Sequence, residues 1–178
     1  MSRLTSAFGL LLLAGCEAPG PDDAEVLAEA EKLAEPLPGL YRSTTSFEGY
    51  ELPGATARES EIVRERMASL SPQVREFCLT PEDAQGGFRE MLTAMQEGDC
   101  TVERFAAQDG RLDARMRCSG RGGIESRVTM AGEADPVRSR LSLDIEQAGD
   151  AIAGGRSRML MRVASERIGD CPAMAEDG

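Results

Sequence analysis

The chain has 178 residues, with 20 Lys and Arg against 31 Asp and Glu for a net charge of -11, and it contains no His. That length holds one domain with a core of its own once a leader is set aside. The acidic balance argues against a nucleic-acid partner, because phosphate binding needs clustered positive charge, and the lack of His removes Ser-His-Asp and Cys-His nucleophiles, His-ligated metals and a His pH switch.

The N-terminus carries Arg3, then a short apolar run over 4–13, then small residues up to Cys16. This is the charged, apolar, small-residue order of an export signal, and the run is shorter than the ~20 residues a spanning helix needs. Leu13-Ala14-Gly15-Cys16 resembles the bacterial lipoprotein signal. The resemblance implies cleavage before Cys16 and acylation of its thiol. Glu17 in place of Asp then favours the outer membrane, with the domain facing the periplasm. Residues 1–15 are thus expected to be a signal peptide, and 16–37 a tether and short helix. A single disulfide-linked β-rich domain is expected over 38–172, and a disordered acidic tail over 173–178.

Asp22 or Asp23 caps a predicted helix over 24–35, with Val26, Leu27, Ala30, Leu33 and Ala34 on one face, and Pro36 stops it. The simplest reading is a helix packed on the domain. A Thr-, Tyr- and Phe-rich strand is predicted over 40–50. A charged helix follows from Ser60, with Ile62, Val63, Arg66, Met67 and Leu70 at helical spacing. A short strand over 74–79 carries Cys78. Thr80-Pro81-Glu82-Asp83 is a helix start, with Thr80 as cap and the two acids in the first turn, so these carboxylates read as capping rather than catalytic. The apolar stripe Ala84, Phe88, Met91, Leu92 and Met95 extends that helix to about Met95, and Gly98 ends it.

From Cys100 onward the period switches to two. Strands over 101–108 and 111–119 flank Asp109-Gly110, a strong hairpin signal. Val102, Ala106, Leu112, Ala114 and Met116 are expected on one face, together with Cys100 and Cys118. Strands over 124–131, 137–147 and 156–168 follow. Ile124, Val128 and Met130, then Val137, Leu141, Leu143 and Ile145, then Met159, Met161 and Val163 face inward. The expected fold is mainly β (α+β): a curved antiparallel sheet, half-barrel or barrel-like, with two or three short helices. Either sheet closure or the helix from Pro81 covers the buried face.

With Cys16 acylated, Cys78, Cys100, Cys118 and Cys171 remain, and an even number in an exported chain reads as two disulfides. The preferred pairing is Cys78–Cys100, bracketing the capped helix, with Cys118–Cys171 tying down the C-terminus. The rival is Cys100–Cys118, set opposite each other by the hairpin. No C-x-x-C pair occurs, so no metal site is expected.

Pro38-Gly39-Leu40-Tyr41, Cys78-Leu79-Thr80-Pro81-Glu82-Asp83-Ala84, Asp99-Cys100, Cys118 and Arg167-Ile168-Gly169-Asp170-Cys171 occur in this order. Together they resemble the domain of unknown function 3617 family of proteobacterial exported proteins, over about 38–171. Relatives often have Trp where Tyr41 stands. The resemblance implies an envelope β-rich domain and carries over no catalytic or ligand residue.

The expected function is a membrane-anchored, non-enzymatic scaffold or binding domain without a cofactor; the expected partner is the membrane, through the N-terminal lipid, with no nucleic acid. One alternative is a carrier of a small apolar ligand, lined by Val128, Met130, Leu141, Leu143, Met159 and Met161; core filling explains the same residues. Copper held by Met159 and Met161 lacks the His or free Cys partners such sites use. A carboxylate-based hydrolase is disfavoured, since acids are abundant and sugar-stacking Trp is absent.

Overall fold

The computed structural model describes residues 20–86 and 99–172. Cys16, the predicted helical residues 87–95 and the acidic tail lie outside them. Helices form where the chain supplies caps. In α1 (Asp23–Ala30) the Asp22 carboxylate accepts from the Glu25 N–H at 2.9 Å, while Glu25 accepts from the Asp22 N–H. α2 (Ala57–Ala68) is closed by the same reciprocal arrangement between Thr56 and Glu59. It therefore starts before Ser60, where the apolar spacing alone placed it. None of its residues is buried, so its apolar stripe does not enter the core. At α3 (Pro81–Gly86) the Thr80 hydroxyl accepts from the Asp83 N–H, and Asp83 accepts from Thr80, so Asp83 acts as a cap.

Seven strands make one antiparallel sheet: β1 (Gly39–Glu51), β2 (Gln73–Leu79), β3 (Cys100–Gln108), β4 (Arg111–Ser119), β5 (Glu125–Ala134), β6 (Arg138–Ala148) and β7 (Arg156–Gly169). Their order is β2-β1-β7-β6-β5-β4-β3, so the sheet is curved but open, with β2 and β3 as its edges. β3 to β7 form a meander of tight turns. At the first turn Asp109 and Gly110 both have positive φ, 52° and 76°, as a two-residue hairpin of this hand requires. β7 then pairs with β1, joining the end of the domain to its start.

Alternation places side chains in rungs across one face. Met116, Val128, Ile145, Met159 and Tyr50 form one rung. Ala114, Met130, Leu143, Met161 and Phe47 form the next, followed by Leu112, Gly132, Leu141, Val163 and Thr45. One inward position departs from expectation. Val102 opposes Met116, but Arg104 opposes Arg115, so the extra residue Glu103 makes a bulge. The bulge reverses parity along the rest of β3. Phe105 and Ala107 are buried, while Ala106 pairs with outward Asp113.

The core lies between this face and α1. Val26, Ala30 and Leu33 pack with Phe105, Ala107, Leu112, Ala114, Met116 and Met130. Among the described residues α1, rather than the helix from Pro81, covers the β3–β5 half of the sheet. Glu29 also accepts the N–H of Ala107 at 3.1 Å, capping a donor of the edge strand.

Two disulfides form, but the preferred pairing was wrong. The bonds are Cys78–Cys171 and Cys100–Cys118. β2 and β3 are opposite edges of the sheet, so a bridge between Cys78 and Cys100 would have to span it. Cys100 lies directly opposite Cys118, with Cα atoms 4.0 Å apart. Cys78 opposes Leu40, which in turn opposes Gly169, so β1 brings Cys78 and Cys171 together. Loop-entropy arguments assign about 4–5 kcal/mol to the bond closing the 93-residue separation and about 3 kcal/mol to the 18-residue one. Non-reducing peptide mapping is expected to join the Cys78 and Cys171 peptides, and replacing that pair by Ser should lower stability more than replacing Cys100 and Cys118.

Candidate apolar site on the inner sheet face

The six residues singled out as ligand-lining all project from the same sheet face, because each occupies an in-register position of the rungs. They divide at β6. Met130 is buried in the core, and Val128, Leu141 and Leu143 pack against that cluster beneath α1. Met159 and Met161, on β7, lie outside it and are half-buried. Beside them, equally half-buried, are Ile145, Val163, Phe47 and Tyr50. These four extend the band. Strand alternation marked Ile145 and Val163. Phe47 and Tyr50 needed knowledge that β1 pairs with β7, and a bulge at Glu48 shifts Tyr50 onto the inner face.

Hydroxyl rungs bound the band at both ends. At one end Gln147 donates to Ser126 at 3.3 Å and Ser157 donates to Gln147 at 3.2 Å. At the other, Ser165 donates to Ser43 at 3.0 Å. Ser43 opposes Arg75 on the edge strand β2.

The opposite sheet face is charged and carries several ion pairs. Arg42 meets Glu76, Arg104 meets Asp113, Arg117 meets Glu103 and Arg162 meets Glu48, all at 2.8–3.0 Å. Arg158 holds Asp144 through two bonds of 2.9 and 2.7 Å. This hydrogen bonding outweighs desolvation and holds the Asp144 carboxyl below its ordinary range. Asp135 is lowered chiefly by the Val137 N–H, and Glu29 chiefly by Lys32, then by the Ala107 N–H. These carboxylates are employed in turns, edges and ion pairs. Among the described residues, no three His, Cys, Asp or Glu side chains gather where a metal ion would need them.

Three of the motif pieces, those holding Tyr41, Cys78 and Arg167, converge at one corner, while Asp99-Cys100 and Cys118 lie at the β3 edge. The Tyr41 hydroxyl donates to the Leu37 and Pro136 carbonyls at 2.8 and 3.1 Å, and its ring stacks on Phe77 at 5.7 Å. Arg167 donates to the Pro38 carbonyl at 2.8 Å and pairs with Asp170. Gly39 has φ 150°, and a Cβ there would lie 2.4 Å from Arg167 Nε and 2.6 Å from the Gly169 carbonyl. The corner thus requires glycine, and together with Cys78–Cys171 it fixes the start of β1 to the end of β7. Its polar atoms are spent on one another, which makes it a structural joint.

The sequence profile of a family described as "Protein of unknown function (DUF3617)" matches residues 36–171. That span holds all seven strands and both disulfides; α1 precedes it. No curated protein and no solved structure matches the chain.

The lowered carboxylates set an acid limit. A carboxyl whose folded value lies below its unfolded one stabilises the fold above the unfolded value, and that stabilisation is lost as pH falls through the folded one. The melting temperature should therefore hold from neutrality down to the ordinary carboxylate range and fall below it. Arg158→Met, which releases Asp144, should make that fall shallower in thermal melts across pH.

Proposed function

We propose that this chain, which belongs to the DUF3617 family, is a non-enzymatic binding domain of the cell envelope that takes up apolar ligands on the part of its inner sheet face that lies beyond α1. The observation that carries the reading is the mismatch between the apolar band and its cover. Among the described residues the rungs run from β4 to β1 while α1 packs on the β3–β5 side, and Met159, Met161, Val163 and Phe47 are half-buried. A band prolonged past α1 suits a surface that another apolar body completes. Two methionines in it offer an adaptable lining. The non-enzymatic reading is supported by the absence of His from the chain and by the pairing of the outward Glu48, Glu76, Asp113 and Asp144 with arginines.

The domain works, in this reading, from a lipid on Cys16 at the outer membrane, facing the periplasm. The support is the Leu-Ala-Gly-Cys sequence at the end of an apolar run. Among the described residues no helix is long and apolar enough to cross a membrane.

Titration of the purified domain with a nonpolar fluorescent probe tests the site. Met161→Gln is expected to weaken probe binding several-fold with little change in melting temperature, whereas Met130→Ala in the core should cost about 2–4 kcal/mol of stability. A large loss of stability in Met161→Gln with probe binding intact would mean that the band is ordinary core. The anchor is tested separately: Cys16→Ser should move the protein out of the membrane fraction and leave an uncleaved leader, as fractionation and intact mass would read.

A further inference from the structure

The chain enters the domain at the β3 edge. Gly20 lies so close to β3 that a Cβ on it would stand 2.6 Å from the Val102 carbonyl oxygen and 3.4 Å from the Glu103 Cα. From there α1 runs onto the inner face and packs with Phe105 and Ala107 of the same strand. Cys16 precedes Gly20 by four residues, which reach about 14 Å at full extension. A lipid on Cys16 would therefore hold the β3 edge near the membrane surface, with β2 at the far edge of the sheet.

The two faces that meet at this edge differ in charge. On the inner side, α1 and its flanks carry Asp22, Asp23, Glu25, Glu29 and Glu31 with Lys32. On the outward side, arginines are set against each other across neighbouring strands. Arg104 of β3 is directly opposite Arg115 of β4, and Arg117 of β4 is directly opposite Arg127 of β5. Like charges in directly opposed positions destabilise a sheet. Glu103 pairs with Arg117 at 2.8 Å and lies 3.7 Å from Arg127, and Asp113 pairs with Arg104 at 3.0 Å. On β6, Glu146 stands between Arg127 and Arg158. The stretch from 104 to 127 nevertheless holds six arginines and three carboxylates, in a chain of net charge -11. The Arg104, Arg117 and Arg127 side chains are 65, 52 and 46 % exposed, and Arg115 is exposed beside them.

We infer that this outward face of β3–β5, with Arg104, Arg115, Arg117 and Arg127, lies against an anionic phospholipid bilayer. This rests on the Cys16 anchor proposed above and adds the orientation of the domain. A lipid chain joined by a basic patch is a standard two-part membrane attachment. The planar guanidinium fork matches phosphate oxygens. The four arginines lie on three adjacent strands, within about 10 Å across the sheet, so they meet one small area of headgroups. Phosphates there offset the repulsion between the opposed arginines. The acidic α1 side turns away from the same surface, so anchor position and charge asymmetry select one orientation.

The test uses the full chain, expressed with its leader in a bacterial host and extracted from membranes. It is reconstituted into vesicles of phosphatidylglycerol mixed with phosphatidylethanolamine, or of phosphatidylcholine alone. Intact mass reads the acyl group, and an arginine-selective glyoxal at pH 8 with peptide mass spectrometry reads the face. Arg104, Arg115, Arg117 and Arg127 are expected to react about fivefold more slowly on the anionic vesicles, the factor one arginine is worth at an anionic surface. Arg140 and Arg162, outward on β6 and β7, should react equally on both. Arg115→Gln combined with Arg127→Gln should abolish the protection of Arg104 and Arg117 without lowering the melting temperature. Acylated protein whose four arginines react alike on both vesicles would overturn the orientation and leave the anchor standing. So would protection that falls on Arg140 and Arg162 instead, or that survives the double variant. Protein without an acyl group on Cys16 would overturn the anchor and this orientation with it.

Discussion

The pairing of β1 with β7 is the constraint on which the remaining structure depends. Without it the chain would be a five-stranded meander with a detached hairpin of β1 and β2. Pairing the first strand with the last carries the loop-closure cost that local hairpins avoid. The molecule concentrates its strongest devices at that seam. The Cys78–Cys171 bond, the Tyr41 hydroxyl on two carbonyls and the close approach of Gly39 to Arg167 all act within a few residues of where the two strands meet. The matched family span begins just before this corner and ends at Cys171. The motif residues at the two ends of that span, Tyr41, Arg167 and Cys171, close the sheet, which gives them a structural role and names no site.

Once the sheet is closed at that seam, strand alternation separates two kinds of surface. Outward positions hold arginines and carboxylates, several of them paired, each exposed pair contributing little to stability. Inward positions hold three apolar rungs between hydroxyl-bearing ends. The hydrophobic stabilisation therefore depends on what lies over the rungs, and α1 lies over part of them. Because α1 precedes the matched span, the cover and the sheet are separable features of the chain. The half-buried remainder on β7 and β1 lies beyond α1 in that geometry.

Much of this was legible in the chain. The caps at Asp22 and Thr80, the Asp109-Gly110 turn and the inward sets Leu141–Leu143–Ile145 and Met159–Met161–Val163 depend on neighbours a few residues apart, and local spacing reports local neighbours. The seven strands followed from composition, turn signals and, after Cys100, period two; tight turns implied their antiparallel sense, and period two placed the six band residues on one face. So did the rival disulfide Cys100–Cys118, which a hairpin sets opposite itself.

Tertiary structure alone decided the rest. The bulge at Glu103 put Phe105 and Ala107 inside in place of Ala106, because one extra residue reverses every later side chain and leaves no mark on composition. Cys78 found Cys171 because β1 lies between their strands, a fact of sheet order that spacing along the chain does not encode. The division of the apolar band into a part beneath α1 and a part beyond it arose the same way. Periodicity states which side chains share a face; only the path of the chain in space determines what is packed against it.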